Sequence, residues 1–290
     1  MIAEFAAAKI NLALHVTGKR EDGYHLLDSA VMFASDAGDA LEVSLADKTS
    51  LTVSGPFSQG LETDNGNLVL KALSVLQEQF PGQVQPCAIS LHKELPVASG
   101  IGGGSADAAA ALRAIVRLND LTIDASELAR LALQLGADVP VCLASTACRM
   151  RGIGEIIDEW EYAPSLHAVL VNPRIGVSTA GIFRHLGLSP GNISSAGIPY
   201  DFGVAKTVIA SLAQLACCRN DLQPAACLLQ PVISDVLQAV RQLPGCRLSR
   251  MSGSGATCFG LFEDADGAGA AAAELARQRS GWWVTATALT

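Results

Sequence analysis

The stretch Pro96-Val-Ala-Ser-Gly-Ile-Gly-Gly-Gly-Ser-Ala-Asp-Ala-Ala109 is the most informative in the chain. It follows a short apolar run, Cys87 to Leu91, that reads as a strand, and it opens a helix predicted over Ser105–Leu118. Gly100, Gly102, Gly103 and Gly104 let the backbone turn tightly and present successive N–H groups. The helix start adds further free N–H groups and the positive end of its dipole. Together these make a cradle for an anion such as a nucleotide phosphate. A plain hinge would not require so many glycines, each of which costs chain entropy on folding.

Three familiar loops do not fit. A Walker A loop needs Lys before its last Ser or Thr, and this one ends Gly-Ser-Ala. Counting GxGxxG from Gly100 puts Ser105 at the last glycine. GxSxG, the nucleophile elbow, fails because Asp107 stands where its closing glycine belongs. Asp201-Phe-Gly203 matches a kinase metal tripeptide, but no HRD-type loop precedes it, so it reads as a turn before a helix.

The chain has 290 residues, half of them hydrophobic and 17% charged, enough for a sizeable core in one large or two ordinary domains. Its net charge of -8 and lack of a basic cluster exclude a typical nucleic-acid binder. Mean hydropathy is +0.33, yet no apolar run reaches the roughly 18–20 residues of a membrane span. The start carries Glu4, Lys9 and Asn11 and lacks signal-peptide form, so the expected address is the cytoplasm. None of the eight cysteines forms a CxxC pair, and buried reduced thiols are expected.

Leu41 to Ser54 alternates and turns near Asp47–Lys48, which predicts a hairpin. Helical spacing covers Asn67–Phe80 and Asp124–Leu135, the second opening with an Asp124…Glu127 capping pair. After Trp160 a strand is expected over His167–Val171. Helices are expected over Ser178–Leu186, Gly203–Ala216, Pro224–Gln230 and Ser234–Leu243. Strands at Cys246–Ser249 and Thr257–Phe262 flank a Gly/Ser turn, and an Ala-rich helix and a strand near Trp282–Thr287 end the chain. The fold class is α+β, with domains expected at 1–158 and 159–290.

Three separated blocks resemble one superfamily: Ala8-Lys-Ile-Asn-Leu12 with Gly23-Tyr-His25, the loop Pro96–Ala106, and Ser252-Gly-Ser-Gly-Ala256. Their layout is similar to that of the galactokinase, homoserine kinase, mevalonate kinase and phosphomevalonate kinase (GHMP) superfamily. AKINLALHVTGKREDGYHLL near the start and Leu135-Gly-Ala-Asp-Val-Pro140 resemble the branch acting on 4-diphosphocytidyl-2-C-methyl-D-erythritol. The resemblance implies the two-domain GHMP kinase fold: an N-terminal domain like ribosomal protein S5 domain 2, a ferredoxin-like C-terminal domain, and a cleft between them. It implies a kinase using ATP and Mg²⁺ on a cytidine diphosphate polyol, with no nucleic-acid or membrane partner, as monomer or homodimer. Many loops of the superfamily read PxGxGLGSS; here Ala98-Ser99, Ile101 and Ala106 depart from that pattern, at little cost where the backbone does the binding.

Alone, Asp138 reads as a helix N-cap, Lys9 as an edge-strand charge and Gly23-Tyr24-His25 as a turn. The resemblance makes Asp138 the catalytic carboxylate and Lys9 the cation that keeps it ionised. Asn11 shares a face with Lys9 if that run is a strand. By resemblance Tyr24 stacks on cytosine, His25 reads its edge, Phe183 is the second aromatic, and Lys93 and Thr179 touch substrate. Pro96, Val97, Ala98, Ser99, Gly100, Ile101, Gly102, Gly103, Gly104, Ser105 and Ala106 hold the nucleotide phosphates, and Asn67 and Leu68 lie near its adenine. No side chain stands out as a metal ligand. Homoserine and mevalonate kinases, whose substrates have no base, fit Tyr24, His25 and Phe183 less well. A nucleotide-binding regulator would not need both Lys9 and Asp138.

Overall fold

The computed structural model describes residues 1–193, 197–204 and 206–290. In chain order the elements begin with β1 (Ile2–Lys19), β2 (His25–Leu45), β3 (Ser50–Ser54), α1 (Leu68–Gln79) and β4 (Cys87–His92). Next come α2 (Gly103–Leu118), α3 (Ala125–Leu135), α4 (Val139–Ala144), β5 (Cys148–Gly152), β6 (Ile156–Glu159) and β7 (Leu166–Asn172). The chain ends with α5 (Thr179–His185), α6 (Val208–Ala216), α7 (Gln223–Leu229), α8 (Val232–Arg241), β8 (Leu248–Met251), β9 (Cys258–Phe262), α9 (Ala265–Gln278) and β10 (Trp283–Leu289). These form two compact units, neither a continuous length of chain. One gathers Met1–Ala8, Gly38–Val97 and Gly102–Ser145; the other gathers Lys9–Ala37, Ala98–Ile101 and Thr146–Thr290.

In the first unit β4 lies between β2 and β3, antiparallel to β2 (Ala40↔His92 to Leu45↔Cys87) and parallel to β3 (Ser50↔Ala88 to Ser54↔His92). The hairpin expected over Leu41–Ser54 is therefore absent: both strands form, but β4 separates them. Alternating apolar residues identify a half-buried strand without naming its neighbour. Here β4, with Cys87, Ile89 and Leu91 buried, takes the central place. Helix α2 is buried through Ala106 and Ala108–Ala111, whose small side chains let α1 and α4 approach, and through the larger Leu112 and Ile115. Asp124 caps α3 by accepting from the Glu127 N–H at 2.8 Å. Glu127 Oε1 accepts from Gln79 Nε2 at 2.7 Å, so the capping box gives way to a bond with α1.

In the second unit β7 pairs antiparallel with β10 along its whole length and with β9 on its other edge, and β8 extends the sheet beyond β9. The apolar stripe of α8 (Ile233, Val236, Leu237, Val240) and that of α9 (Ala268, Ala271, Ala272, Leu275) join one core with Val169, Val171, Cys258 and Phe262. The expected Gly203–Ala216 helix begins at Val208, where Thr207 caps it by accepting from Ala210 N–H, and Ala205 lies outside the described residues. The β5–β6 hairpin, which the sequence reading passes over, pairs Cys148 with Glu159; β5 alternates buried Cys148 and Met150 with Arg149 and Arg151 over only five residues, and β6 has no buried residue. All eight cysteines are free thiols, and no helix among the described residues is long and apolar enough to cross a membrane.

Candidate active site

In the second unit, three blocks far apart in sequence meet through hydrogen bonds. The Lys9 N–H donates to the Ile101 carbonyl at 2.9 Å, and the Thr257 N–H donates to the Ser99 carbonyl at 3.0 Å. Ser252 Oγ donates to the Gly100 carbonyl at 3.1 Å and accepts from the Asn11 N–H at 3.0 Å. Thr179 and Ser254 join through their hydroxyls at 2.8 Å. The Asn11 amide donates to Ser29 Oγ at 2.8 Å, while its Oδ1 is buried without a hydrogen bond. Lys9 and Asn11 are both almost fully buried, at 3% and 1% exposure, on a strand apolar on both faces.

Two residues that sequence reasoning missed support this arrangement. The buried Arg250 donates to the carbonyls of Leu12 at 2.6 Å, Leu215 at 2.8 Å and Cys218 at 2.6 Å. Burial pulls its guanidinium down to about 10, still protonated at neutral pH. Asn220 Nδ2 donates to the carbonyls of Met251 and Gly253, both at 2.8 Å, fixing the turn that carries Ser252. A single Arg at the edge of an apolar run was the only sequence signal for Arg250, and Asn220 offered none.

The glycine loop has the backbone of an anion cradle. Gly102, at the N-cap of α2, is left-handed, makes no side-chain cap and is followed by a first turn free of acidic residues. Gly104 is exposed, and Gly102, Gly103 and Ser105 are partly exposed, so the N–H groups of this helix end are open to a ligand. Ala98 adopts φ 50°, a torsion that costs a non-glycine residue energy and recurs at ligand clamps. Pro96, Ser99, Ile101 and Ala106 are buried and anchor the loop, while Val97 is half exposed. In the first unit a Cβ on Gly104 would meet Leu68 Cδ1 at 3.7 Å, which places the start of α1 beside the start of α2. Asn67 caps α1, accepting from Val69 N–H at 3.0 Å and donating to the Glu62 carbonyl at 2.8 Å.

Asp138 stands at the N-cap position of α4, but its side chain makes no cap bond. Its backbone is right-handed helical (φ -87°, ψ -9°), whereas a capping residue is extended so that its oxygen reaches the N2 or N3 N–H. The simple capping account therefore fails, and the half-buried carboxylate is not used to start the helix.

Among the aromatic residues, His25 stacks on Phe183 with ring centroids 4.6 Å apart and planes 28° apart. Burial, then the Lys19 charge, hold His25 below its ordinary value, which keeps the imidazole neutral near pH 7. His25 Nε2 is buried and makes no hydrogen bond. Tyr24 is 58% exposed beside it, its ring open to solvent. Lys93, expected on substrate, is buried against Asp39 and Asp107. No group of three or more His, Cys, Asp or Glu among the described residues can hold a metal.

Residues 67–146 match the GHMP kinases N terminal domain and residues 205–280 match the GHMP kinases C terminal family. The chain is a GHMP kinase. It is 49% identical, over 99% of its length and 94% of the relative's, to a 4-diphosphocytidyl-2-C-methyl-D-erythritol kinase of Rhizobium leguminosarum bv. trifolii (strain WSM2304). It is 48% identical to one of Paramagnetospirillum magneticum (strain ATCC 700264 / AMB-1), covering 96% of this chain and 95% of that one. The crystal structure of a 4-(cytidine 5'-diphospho)-2C-methyl-D-erythritol kinase matches with TM-score 0.79 at 33% identity over 99% of both chains. Homoserine kinase from Cytophaga hutchinsonii ATCC 33406 shares the fold, with TM-score 0.73 at 21% identity over 99% of this chain and 94% of that one. Within the GHMP kinases, the chain belongs to the 4-diphosphocytidyl-2-C-methyl-D-erythritol kinase family.

Proposed function

We propose that the protein transfers the γ-phosphoryl group of ATP to the 2-hydroxyl of 4-diphosphocytidyl-2-C-methyl-D-erythritol. The products are ADP and the 2-phosphate, and the reaction belongs to the non-mevalonate route to isopentenyl diphosphate in the cytoplasm. The observation that carries this reading is the union of Asn11, Gly100 and Ser252 by hydrogen bonds, which gathers all three sequence blocks in one place.

Phosphoryl transfer asks the protein mainly to position reactants and to stabilise charge. The open N–H groups of Gly103, Gly104 and Ser105 hold the nucleotide phosphates, and Asn67 and Leu68 border its base. Asp138 orients the acceptor hydroxyl and takes its proton. Lys9 supplies the cation that steadies charge developing on the transferred group. Mg²⁺ bound together with the nucleotide would neutralise its phosphates. Tyr24, His25 and Phe183 select cytosine, and Thr179 borders the polyol diphosphate. An ADP-release assay with the purified protein, MgATP and the cytidine substrate tests the reading. Release that depends on the cytidine substrate is expected, and release no faster than without it would refute the assignment.

A further inference from the structure

The feature that the proposed mechanism does not use is a sealed ionic cluster in the first unit. Lys93 Nζ donates to Asp107 Oδ2 at 2.6 Å and also to Asp39 Oδ2. The three side chains are 4%, 6% and 0% exposed, in the order Lys93, Asp107, Asp39. Asp39 Oδ1 accepts from the backbone N–H groups of Glu94 at 2.7 Å and Leu95 at 2.9 Å. A Cβ placed on Gly103 would lie 3.6 Å from Lys93 Nζ and 3.7 Å from Asp39 Oδ2. The cluster thus touches the first residue of α2, grips the chain that leads into the glycine loop, and holds α2 through Asp107 one turn further on.

Charge decides what this lysine does. A lysine that grips phosphate must offer unspent positive charge. Lys93 meets two aspartates, and Asp39 alone balances its charge even when Asp107 carries a proton, so it has little field left for an anion. Buried ionic clusters seldom stabilise a fold more than apolar residues of the same size, and in some proteins their role is to specify geometry. The geometry specified here is the spacing between Leu95 and Gly103, the two ends of the loop.

We propose that Lys93, Asp39 and Asp107 form a positioning strut that fixes the helical end of the glycine loop for nucleotide binding, and that Lys93 is not a substrate contact. This rests on the reading that the loop holds the ATP phosphates. The test is calorimetric binding of two probes, the MgATP analogue AMP-PNP and CDP, to wild type and to Lys93→Met, Asp107→Asn and the double variant Lys93→Met/Asp107→Leu. Each single variant is expected to weaken AMP-PNP by roughly ten- to a hundredfold, the scale of small misplacements in binding geometry. CDP affinity should change by less than about threefold, as for a site that shares no partner with the cluster. The double variant, which removes a cation and an anion together, should fold and show the same selective loss even if a single variant does not fold. Loss of CDP binding with AMP-PNP intact would make Lys93 a substrate contact and overturn the strut. Wild-type affinity for both probes in the folded variants would reduce the cluster to core packing and overturn it equally. Failure of the underlying loop reading looks different: wild type itself would not bind AMP-PNP.

Discussion

Ser252 Oγ donates to the Gly100 carbonyl at 3.1 Å across 152 residues of chain. The two backbones approach so closely that a Cβ on Gly100 would lie 2.5 Å from the Ser252 carbonyl oxygen, and one on Gly253 would lie 2.5 Å from the Gly100 carbonyl oxygen. Both glycines also have left-handed torsions, φ 75° and 52°. The glycines of the loop are therefore not equivalent.

Gly100→Ala should destabilise the fold by at least roughly 1–3 kcal/mol, from torsional strain and the backbone clash together. At Gly103 a Cβ meets ordinary contact distances, and alanine is the better helix former by roughly 1 kcal/mol. Gly103→Ala should match or exceed wild type in urea denaturation. Equal midpoints for the two variants would contradict the close approach.

Asp138→Asn should lower kcat by roughly 10²–10⁴-fold, the range for loss of a general base, with Kd for MgAMP-PNP and CDP almost unchanged. The uncapped position of Asp138 sharpens this expectation, because replacing a carboxylate that does not cap α4 leaves the helix start intact. Near-normal turnover in a folded variant would remove Asp138 from the chemistry. Lys9→Met should lower kcat in the same way; a variant that unfolds would point to Lys9 as a structural cation of β1.

Much of the fold is legible in the sequence because most helices announce themselves locally. Asn67, Asp124 and Ser178 all cap the helices read from them. Long-range facts are not local. Nothing in Leu41–Ser54 says that Cys87–His92 inserts between its strands. The run from His25 to Ala40 hides a strand because both of its faces hold apolar residues, so the alternation that marks a half-buried strand is lost. At the site, the glycine loop and the Ser252 turn could be read from composition, but Asp39 and Asp107 could not be paired with Lys93. Their one signal was a lone carboxylate among alanines and glycines, which identifies a buried charge without its partner.

Asp107 gives a pH signature. Burial, with Lys93 opposing and Asp39 adding to it, pushes its carboxyl from 3.8 up to about 7. Its Oδ1 has no hydrogen bond, which leaves room for a proton there. A carboxyl with a raised folded value binds more protons when folded than unfolded, so its ionisation works against the fold. Stability should fall as pH rises from about 4 to about 7 and level off above, the reverse of a salt-bridged aspartate with a depressed value. Lys93 does not titrate in this window, since Asp107 and Asp39 outweigh the downward pull of burial and hold it above 10.5. Urea denaturation at pH 5, 6, 7 and 8 should show wild type losing stability relative to Asp107→Asn on going from pH 5 to 7. Parallel curves would place Asp107 among ordinary ionised carboxylates.

The sharpest prediction concerns the base. His25 lies 4.6 Å from Phe183 in a stack, with Nε2 buried and unpartnered, while the Tyr24 ring is exposed beside it. An orphaned ring nitrogen held rigidly against an aromatic ring is a group placed to receive a polar edge, since leaving it unmade costs free energy. A wrong base leaves that nitrogen unmatched, which penalises the wrong ligand more than it rewards the right one. His25→Ala should therefore erode the preference for the cytidine substrate over its uridine analogue. Tyr24→Ala should raise KM for the cytidine substrate by roughly 5- to 150-fold, the equivalent of losing about 1–3 kcal/mol of base stacking, and leave KM for ATP nearly alone. The two effects separate because one removes a hydrogen bond that knows the base and the other removes a face that does not. The decisive comparison is wild type acting on the cytidine substrate and on the same polyol phosphate without its nucleoside. A strong preference for the first is expected; equal rates would mean that no cytosine pocket operates, whatever His25 and Phe183 do.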